Sequence, residues 1–364
     1  MKILEIKILN FRNLKNVELN FSSGVNFIHG ENAQGKTNFI EAIWMFTGAR
    51  SFRGAKDADV VNFDQGYARL DGKIEFQNRE HEIAIFFENG KRNVMLDGVM
   101  KPYPTSIIGK FRAVLFSPVN LSLVKDGPDY RRKFIDAAIC QLKPTFTAYI
   151  ARYNQILRQR NAFLKSDNPD VDLLEVWDEK ISNIGAVVLC ERLKYLKFLK
   201  ESCGLIYDEI SQKNEQLSLK YVSTISKKID EKITVDSVRE LFIEMLKKFR
   251  TSDIKSKITS VGPHKDDMEF MINGKFVRSF GSQGQQRSVA LTLKLAEADI
   301  LKKFIGEPPV VLLDDVMSEL DENRRFYLVK KTADLQVFIT SCEKINDYNF
   351  SHIKFFKAEN GKIF

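Results

Sequence analysis

Cysteine, histidine and long apolar runs are scarce in this chain of 364 residues. Its cysteines follow no metal-ligand spacing and no pairing pattern, which argues against a disulfide scaffold or a zinc site and favours a reducing compartment; they are Cys140, Cys190, Cys203 and Cys342. No charged-then-apolar leader opens the sequence, and no apolar run approaches the roughly 20 residues that span a bilayer. We therefore expect a cytoplasmic protein with no membrane segment of its own.

The composition is that of an ordinary globular protein. Hydrophobic residues make up 44% of the chain and charged residues 29%, which argues against a disordered or fibrous class. The length exceeds one typical core and predicts two packed units. Lysine and arginine total 56 against 48 aspartates and glutamates, a net charge of +8. This surplus is compatible with a polyanionic partner but does not identify one.

A phosphate-binding loop is predicted near the start of the chain, in Gly30-Glu31-Asn32-Ala33-Gln34-Gly35-Lys36-Thr37. The pattern G-x-x-x-x-G-K-[ST] turns successive backbone N–H groups around phosphates, and Lys36 would reach the β- and γ-phosphates. Thr37 would place its hydroxyl on Mg²⁺. Val25–His29 reads as a buried strand entering the loop, and Asn38–Phe46 as a helix whose N-terminus faces the phosphates. We assign the whole loop and Asn38 to ATP binding.

A second motif, Val310-Val311-Leu312-Leu313-Asp314-Asp315, has four apolar residues followed by two carboxylates. It reads as a buried parallel strand that delivers charge at its C-terminal end. Asp314 is suited to hold Mg²⁺, because hard cations prefer carboxylate and water oxygens. Asp315 could polarise the water that attacks the γ-phosphate, or could be a plain N-cap or ion-pair acid.

A third motif is the turn Ser282-Gln283-Gly284-Gln285-Gln286, which leads into a predicted helix at Ser288–Ile300. A helix N-terminus with a free Ser and Gly is a second anion site, with Ser282, Gly284 and Gln285 as its candidate contacts. One chain does not obviously need two phosphate cradles, unless each completes the other across a dimer. The alternative is a solvated turn before a core helix.

The order of segments predicts an α/β ATPase lobe with a mixed sheet, made from both ends of the chain. Strands dominate residues 1–125, with Asn89-Gly90 and Asp97-Gly98 as hairpin turns. Residues 126–257 read as an inserted, mainly helical lobe, and residues 258–364 return to the ATPase lobe. Sustained apolar heptads are missing from the insertion, so we expect no long coiled-coil arm.

Together the three motifs resemble ABC-type ATPase heads of the SMC kind, with Ser318-Glu319-Leu320-Asp321 after the second carboxylate. Further strings resemble the bacterial RecF family of recombination and repair proteins. They span almost the whole chain: Asn10–Asn13, Gly30–Asn32 with Thr37 and Asn38, Arg50–Arg53, Phe116–Pro118, Pro128 with Arg131 and Arg132, Gly262–Asp267, and Val337–Thr340.

The resemblance implies an ATP-dependent homodimer that binds gapped or junction DNA and hydrolyses ATP weakly, acting mainly as a switch. By position, Lys36, Asp314, Asp315 and Ser282 would form the catalytic set, with Thr37 and Asp314 on Mg²⁺ and Ser282 on the γ-phosphate of the partner subunit. Ser318–Asp321 would lie along the dimer seam. RecR and RecO would be partners in loading recombinase, with roles in replication-fork maintenance and the SOS response.

The chain departs from the ABC pattern at three places. Asp315 stands where Glu is usual, Phe116–Asn120 lacks the usual Gln, and Thr340-Ser341-Cys342 lacks the usual His. An ATP-hydrolysing transporter subunit would share the three motifs and is the alternative function; a P-loop kinase or monomeric hydrolase is a second.

Basic stripes are the sequence's candidates for DNA contact. Arg152, Arg158, Arg160 and Lys165 share one helical stretch, and Lys194, Lys197 and Lys200 recur at helical spacing on another. Such stripes could contact phosphates, or could simply be solvated helix faces. No segment resembles a base-reading module, so the contact expected is independent of DNA sequence.

Overall fold

The computed structural model describes residues 1–167, 169–227, 232–342 and 353–364. They form two compact units. The first combines Met1–Leu121 with Ala290–Phe364, and the second is Ser122–Val289. The second unit extends past the predicted boundary at residue 257, because strands after that point pair with a strand inside the insertion, as given below.

An antiparallel sheet and the phosphate-loop helix open the first unit. Its elements are β1 Lys2–Phe11, β2 Leu14–Asn20, β3 Val25–His29, α1 Lys36–Met45, β4 Tyr67–Phe76, β5 Arg79–Glu88, β6 Lys91–Leu96, β7 Val99–Met100 and β8 Ala113–Phe116. The antiparallel sheet has the order β2-β1-β4-β5-β6-β7. Both predicted hairpin turns are confirmed, with φ of 52° and 70° at Asn89 and Gly90 and of 51° and 75° at Asp97 and Gly98.

The second unit is mainly helical. Its elements are α2 Ser122–Lys125, α3 Pro128–Leu142, α4 Phe146–Phe163, α5 Val171–Ile210, β9 Leu217–Val222, α6 Val235–Ser256, β10 Asp267–Ile272, β11 Lys275–Phe276 and α7 Val277–Phe280. Strand β10 pairs antiparallel with both β9 and β11. The inserted lobe is mainly helical, as predicted, but it contains strand β9, and strand structure resumes at Asp267 rather than at the predicted Ile258.

Helix α5 has 40 residues, which is about 60 Å at 1.5 Å per residue. It packs against α4 and α6, and its buried positions run from Leu174 to Tyr207. In the part of the chain that the structure describes, this longest helix is thus a packed element of the lobe and not a projecting coiled-coil arm, as expected.

The remaining elements are α8 Gln283–Ile305, β12 Val310–Asp314, α9 Glu322–Thr332, β13 Val337–Ser341, β14 Ile353–Glu359 and β15 Lys362–Ile363. A mixed sheet of the first unit has the order β15-β14-β3-β13-β12-β8. Within it β3, β13, β12 and β8 run parallel. The carboxyl ends of β3, β13 and β12 therefore meet at one edge of the sheet, which is where ligands bind in such folds.

Apolar side chains of α1 anchor the phosphate loop to the core. Phe39, Ile40, Ile43 and Phe46 are fully buried in a cluster that includes both sheets of the first unit. Burial of each such side chain contributes about 1.5 to 3 kcal/mol. The N-terminus of α1 is thereby held in a fixed place at the edge of the mixed sheet.

Candidate nucleotide site and signature turn

Two glycines shape the loop between β3 and α1. A Cβ at Gly30 would lie 2.3 Å from the carbonyl oxygen of Ala358. Gly35 has a φ of 109°, and a Cβ there would lie 2.9 Å from Oδ1 of Asn13. Neighbouring atoms this close leave no room for a side chain at either position. The glycines of the motif are thus required by the path of the loop.

The loop also contacts the turn between β14 and β15. Oε1 of Gln34 accepts a hydrogen bond from the backbone N–H of Asn360 at 2.6 Å. Close by, a Cβ at Gly361 would lie 2.1 Å from the carbonyl oxygen of Asn13. The C-terminal hairpin therefore packs directly on the loop and on the β1–β2 turn.

Lys36 points its ammonium group into the loop. The residue is buried, and Nζ donates to the carbonyl oxygens of Gly30 at 2.7 Å and Glu31 at 2.8 Å. Gly35 is the N-cap of α1, and no side-chain hydrogen bond caps that helix. A cation and uncapped backbone N–H groups therefore share one concave loop, which is the donor set an oligophosphate requires.

Thr37, Asp314 and Thr340 meet where α1, β12 and β13 converge. Oδ1 of the buried Asp314 accepts from Oγ1 of Thr37 at 3.0 Å and from Oγ1 of Thr340 at 2.9 Å. Burial raises the pKa of Asp314; the two hydroxyl donors oppose that effect, and the neighbouring Asp315 adds to it. A buried carboxylate beside a threonine hydroxyl fits Mg²⁺ brought in with a nucleotide.

Among the described residues no group of three or more His, Cys, Asp or Glu side chains is arranged to hold a metal ion by itself.

The backbone of Asp315 is held from both sides. Its N–H donates to Oγ1 of Thr340 at 3.1 Å, and its carbonyl oxygen accepts from Oγ of Ser318 at 2.9 Å. With a φ of 52°, the residue lies in the left-handed region, which Asp tolerates better than most residues. The N-cap of the following helix α9 is Asp321, so Asp315 does not have that role.

The turn Ser282-Gln283-Gly284-Gln285-Gln286, which we call the signature turn, is shorter than predicted. Helix α8 begins at Gln283 rather than Ser288. Oγ of Ser282 accepts from the backbone N–H of Gln285 at 3.2 Å, and Oε1 of Gln285 accepts from the backbone N–H of Ser282 at 2.8 Å. This is a capping box, Ser-x-x-Gln. The spacing of Ser282 and Gln285 is the sequence signal for this capping box. It was missed because the start of the helix was inferred from the apolar periodicity, which begins at Ser288.

Sequence reasoning also missed a buried carboxylate on α1. Glu41 is fully buried and accepts from Nε of Arg12 at 3.1 Å, from Nη2 of Arg12 at 3.0 Å and from Oγ of Ser51. An isolated charge in this core would be costly, so the bidentate arginine is its required partner. Arg12 and Ser51 belong to two of the strings that carry the family resemblance.

A chain of amides and one cation extends this network to the loop. Nη1 of Arg53 donates to Oδ1 of Asn38, Nδ2 of Asn38 to Oδ1 of Asn13, and Nδ2 of Asn13 to the carbonyl oxygen of Ala33, at 2.8, 2.8 and 3.2 Å. Asn38, predicted to bind ATP, thus helps to fix the loop.

Known proteins of the same length match this chain throughout. A family model described as an AAA domain matches residues 5–325. The DNA replication and repair protein RecF of Clostridium novyi (strain NT) is 36% identical over 366 residues, covering 100% of this chain and 99% of the relative. RecF of Caldanaerobacter subterraneus subsp. tengcongensis is 40% identical over 351 residues, covering 94% and 95%. The chain belongs to the RecF family.

Solved structures agree with this assignment. The recombination mediator protein RecF-ATPrS in the RecFOR pathway is 39% identical, with a TM-score of 0.92 over 100% of this chain and 97% of that one. A Smc head domain from Pyrococcus furiosus has a TM-score of 0.56 at 15% identity, over 99% and 94%. That second likeness concerns the fold alone, and it agrees with the predicted ABC-type head.

Two loops that depart from the ABC pattern have local partners. Oδ1 of Asn120 accepts from the backbone N–H of Ser117 at 2.6 Å. Sγ of Cys342 donates to Oδ1 of Asn32 at 2.9 Å and lies 3.6 Å from Nζ of Lys36. In this RecF-family chain a thiol therefore stands beside the phosphate loop where the ABC pattern has a histidine.

The RecF-like string Gly262–Asp267 forms a polar hub inside the second unit. Gly262 has a φ of 124°, and a Cβ there would lie 2.5 Å from the ring of Phe242. His264 contacts the hydroxyl of Tyr153 at 2.7 Å through Nδ1 and the carbonyl oxygen of Thr259 at 2.9 Å through Nε2. Because the carbonyl only accepts, Nε2 carries the proton. Burial lowers the pKa of His264 to about 4.

Both carboxylates of the hub accept hydrogen bonds from residues of the second unit. Asp266 accepts from the hydroxyl of Tyr221 at 3.0 Å and from the backbone N–H of Thr224 at 2.8 Å. Asp267 accepts from Nε and Nη2 of Arg131 at 2.6 and 3.0 Å. The hub therefore joins α3, α4 and the end of β9, and its buried polar groups have a structural explanation.

One member of the basic stripe on α4, Arg160, is neither a solvated residue nor available for DNA contact. Arg160 is fully buried, and it donates to Asp178 at 2.9 Å, to Asp253 at 3.0 Å and to Thr259 at 2.8 Å. The other members of its stripe, Arg152, Arg158 and Lys165, are exposed. On α5, Lys194 and Lys197 are exposed and Lys200 is half-buried.

The helices of the described residues include none long and apolar enough to cross a membrane.

Proposed function

We propose that this RecF-family chain is an ATP-dependent, DNA-binding clamp. ATP bound at the phosphate loop of one subunit would be completed by Ser282 of a second copy, so that the triphosphate joins two subunits and hydrolysis releases them. The observation that carries this proposal is the pair of helix N-termini: α1 has no side-chain cap and holds Lys36, and α8 begins beside an exposed serine.

The hydroxyl of Ser282 is suited to an anion. Its oxygen already accepts from the N–H of Gln285, so its own proton is available to donate outward. A phosphate oxygen placed at this helix N-terminus would receive that proton and would gain from the helix dipole. Ser318–Asp321, after Asp315, would line the same dimer seam.

Thr37 and Asp314 would hold Mg²⁺, which neutralises charge on the β- and γ-phosphates when bound. Asp315 would orient the attacking water and accept its proton. Its side chain is shorter than the glutamate of ABC enzymes, and we expect a slow ATPase. In that case occupancy of the site by ATP, rather than turnover, sets the state of the clamp.

The DNA ligand follows from the family. Relatives carry the name DNA replication and repair protein, and a solved relative is described as a recombination mediator of the RecFOR pathway. We infer that this chain recognises gapped or junction DNA through phosphate contacts and acts with RecO and RecR in recombinase loading, with consequences for replication forks and the SOS response. Family membership over the full chain speaks against the transporter alternative.

Light scattering tests the clamp. Wild type should change from monomer to dimer mass with ATP and Mg²⁺ but not with ADP, and gapped duplex should strengthen the dimer. Lys36→Arg and Ser282→Arg should both stay monomeric, the first because it does not cradle the phosphates and the second because the bulky cation blocks the turn.

Ser218→Arg is the matched control, since Ser218 is an exposed serine on β9 of the same unit; it should dimerise normally. A wild type that binds ATP yet stays monomeric at every concentration, with and without DNA, would refute the clamp.

A further inference from the structure

The side chain of Gln285 makes hydrogen bonds in two directions. Its Oε1 accepts from the backbone N–H of Ser282 at 2.8 Å, and its Nε2 donates to Oε1 of Glu215 at 2.7 Å. A carboxylate only accepts hydrogen bonds. Glu215 therefore selects the orientation of the amide, because Nε2 must face the carboxylate and Oε1 must face Ser282.

Glu215 is itself held from behind. Its Oε2 accepts from the hydroxyl of Tyr207 at 2.6 Å, and Tyr207 is buried near the C-terminal end of α5. The turn that carries Glu215 is pinned at Gln216, whose N–H donates to Oδ1 of Asn273 at 2.9 Å and whose carbonyl oxygen accepts from the N–H of Asn273 at 3.0 Å. Its carboxylate thus has a defined position in the second unit.

The capping box alone leaves the amide of Gln285 free to rotate, and only one of its two orientations accepts from Ser282. In the other orientation an NH₂ group would face the N–H of Ser282, and the turn would open. The charge-assisted bond to Glu215 is about twice as strong as a neutral one. It therefore fixes both the turn and the hydroxyl oxygen of Ser282, a residue that is exposed to solvent.

We propose that Glu215 is a positioning residue for the signature turn: through Gln285 it orients the Ser282 hydroxyl toward the phosphate bound by a second copy, and through Tyr207 it links that orientation to helix α5. This inference rests on the proposed function. A displacement of α5 would then reach Ser282 through three hydrogen bonds, from Tyr207 to Glu215, from Gln285 to Glu215 and from Ser282 to Gln285.

The test compares Glu215→Ala with Glu215→Gln in the full chain, by ATP-dependent dimer mass against protein concentration. Loss of a hydrogen bond to a charged group weakens an equilibrium roughly tenfold or more. Because a two-fold dimer contains the turn twice, we expect the dimer dissociation constant of Glu215→Ala to rise about a hundredfold. Affinity of dilute monomer for a fluorescent ATP analogue should stay within about twofold.

Glu215→Gln should dimerise within about threefold of wild type, since its oxygen can accept from Gln285 while its NH₂ donates to the oxygen of Tyr207. Tyr207→Phe keeps the carboxylate and should give an intermediate loss. Glu201→Ala, at an exposed glutamate of α5, is the matched control and should behave as wild type. The rescue by glutamine is the readout that a merely structural carboxylate would not produce.

Three results would overturn the inference. Dimerisation of Glu215→Ala as tight as that of wild type would leave the clamp standing and remove Glu215 from it. Equal defects in Glu215→Ala and Glu215→Gln, with equally lowered melting temperatures, would assign Glu215 to folding alone. A wild type that never dimerises with ATP would refute the proposed function itself, and the positioning role with it.

Discussion

The phosphate loop and the Gly262–Asp267 hub share many features yet differ in what their polar groups contact. Both belong to strings that resemble the RecF family, and both contain a glycine, Gly35 or Gly262, whose φ is positive and whose Cβ would collide with a neighbour. In the hub, carboxylates bind arginine, tyrosine and threonine of the same unit. In the loop, Lys36 donates to two carbonyl oxygens of the loop itself, and these are its oxygen partners among the described residues.

The difference teaches how to separate a site from a scaffold. A buried ion pair such as that between Arg131 and Asp267 has both charges compensated inside the fold. The cation of Lys36 lies beside carbonyl dipoles and, among the described residues, pairs with no carboxylate, so its charge remains available to attract an anion. Substitutions in the hub should therefore lower stability, and substitutions in the loop should lower nucleotide affinity.

The largest effect is expected for Arg160→Met, which leaves the buried carboxylate of Asp253 without its cation, whereas Asp178 keeps Arg250 at 3.1 Å. Breaking such a group by removing one partner costs about 3 to 5 kcal/mol. Urea unfolding should be followed by the fluorescence of Trp177 in a Trp44→Phe background, because those are the chain's two tryptophans. Arg158→Met, at an exposed arginine of the same helix, should cost less than about 0.5 kcal/mol.

Gly262→Ala should cause the next largest loss of stability. The added Cβ would meet Phe242 at 2.5 Å and the hydroxyl of Tyr153 at 2.7 Å, at a φ of 124°. We expect a loss of about 2 to 4 kcal/mol from strain and overpacking. Gly274→Ala separates the two causes, since Gly274 has a φ of 77° but open space around its Cβ; its loss should be about 1 kcal/mol. Equal losses in both variants would contradict the role of the hub's packing.

The buried His264 should make the hub sensitive to acid. Its pKa is about 4 in the fold against 6.5 for the ordinary group, so between these values the unfolded chain binds a proton that the folded chain does not. Stability contributed by the neutral ring is complete above about pH 6.5 and is lost as the pH falls toward 4, by about 2 to 3 kcal/mol.

In a His264→Gln variant the loss of unfolding free energy between pH 6.5 and 4.5 should be smaller than in wild type by that amount, whatever its stability at pH 7. Parallel pH profiles for the two proteins would show that His264 does not titrate this way.

The smallest effect is expected in the loop. Thr37→Val removes the hydroxyl that donates to Asp314, and the affinity for ATP with Mg²⁺ should fall about tenfold, near 1.4 kcal/mol. Affinity without Mg²⁺ should hardly change. Thr332→Val, at a buried threonine of α9, controls for the substitution itself. An equal loss with and without Mg²⁺ would remove Thr37 from the metal site.

Much of the ATPase lobe could be predicted from local signals. Strand β3 was predicted with its observed bounds, Val25–His29, because a short apolar run leads directly into the phosphate loop. The order of β3, the loop and α1 followed from one motif. The pairing of β13 with β3 could not be predicted, because its register depends on partners about 300 residues apart in sequence, such as Val337 and Val25.

The errors have physical reasons of the same kind. Arg160 was grouped with the candidates for DNA contact because it shares a helix with exposed cations. Its burial depends on Asp178 and Asp253, which lie on other helices. Strand β9 has an alternating pattern, but it is short and lies between long helices. Glu41 was overlooked because its partner Arg12 lies in the turn between β1 and β2, 29 positions earlier.

The hairpin of β14 and β15 has a consequence for biogenesis. Its residues Ala358, Asn360 and Gly361 pack against Gly30, Gln34 and Asn13, and β14 pairs with β3. On a ribosome, the phosphate loop emerges more than three hundred codons before these partners. Contacts of such long sequence separation form late, so the nascent chain should acquire its nucleotide site only when the hairpin has left the exit tunnel.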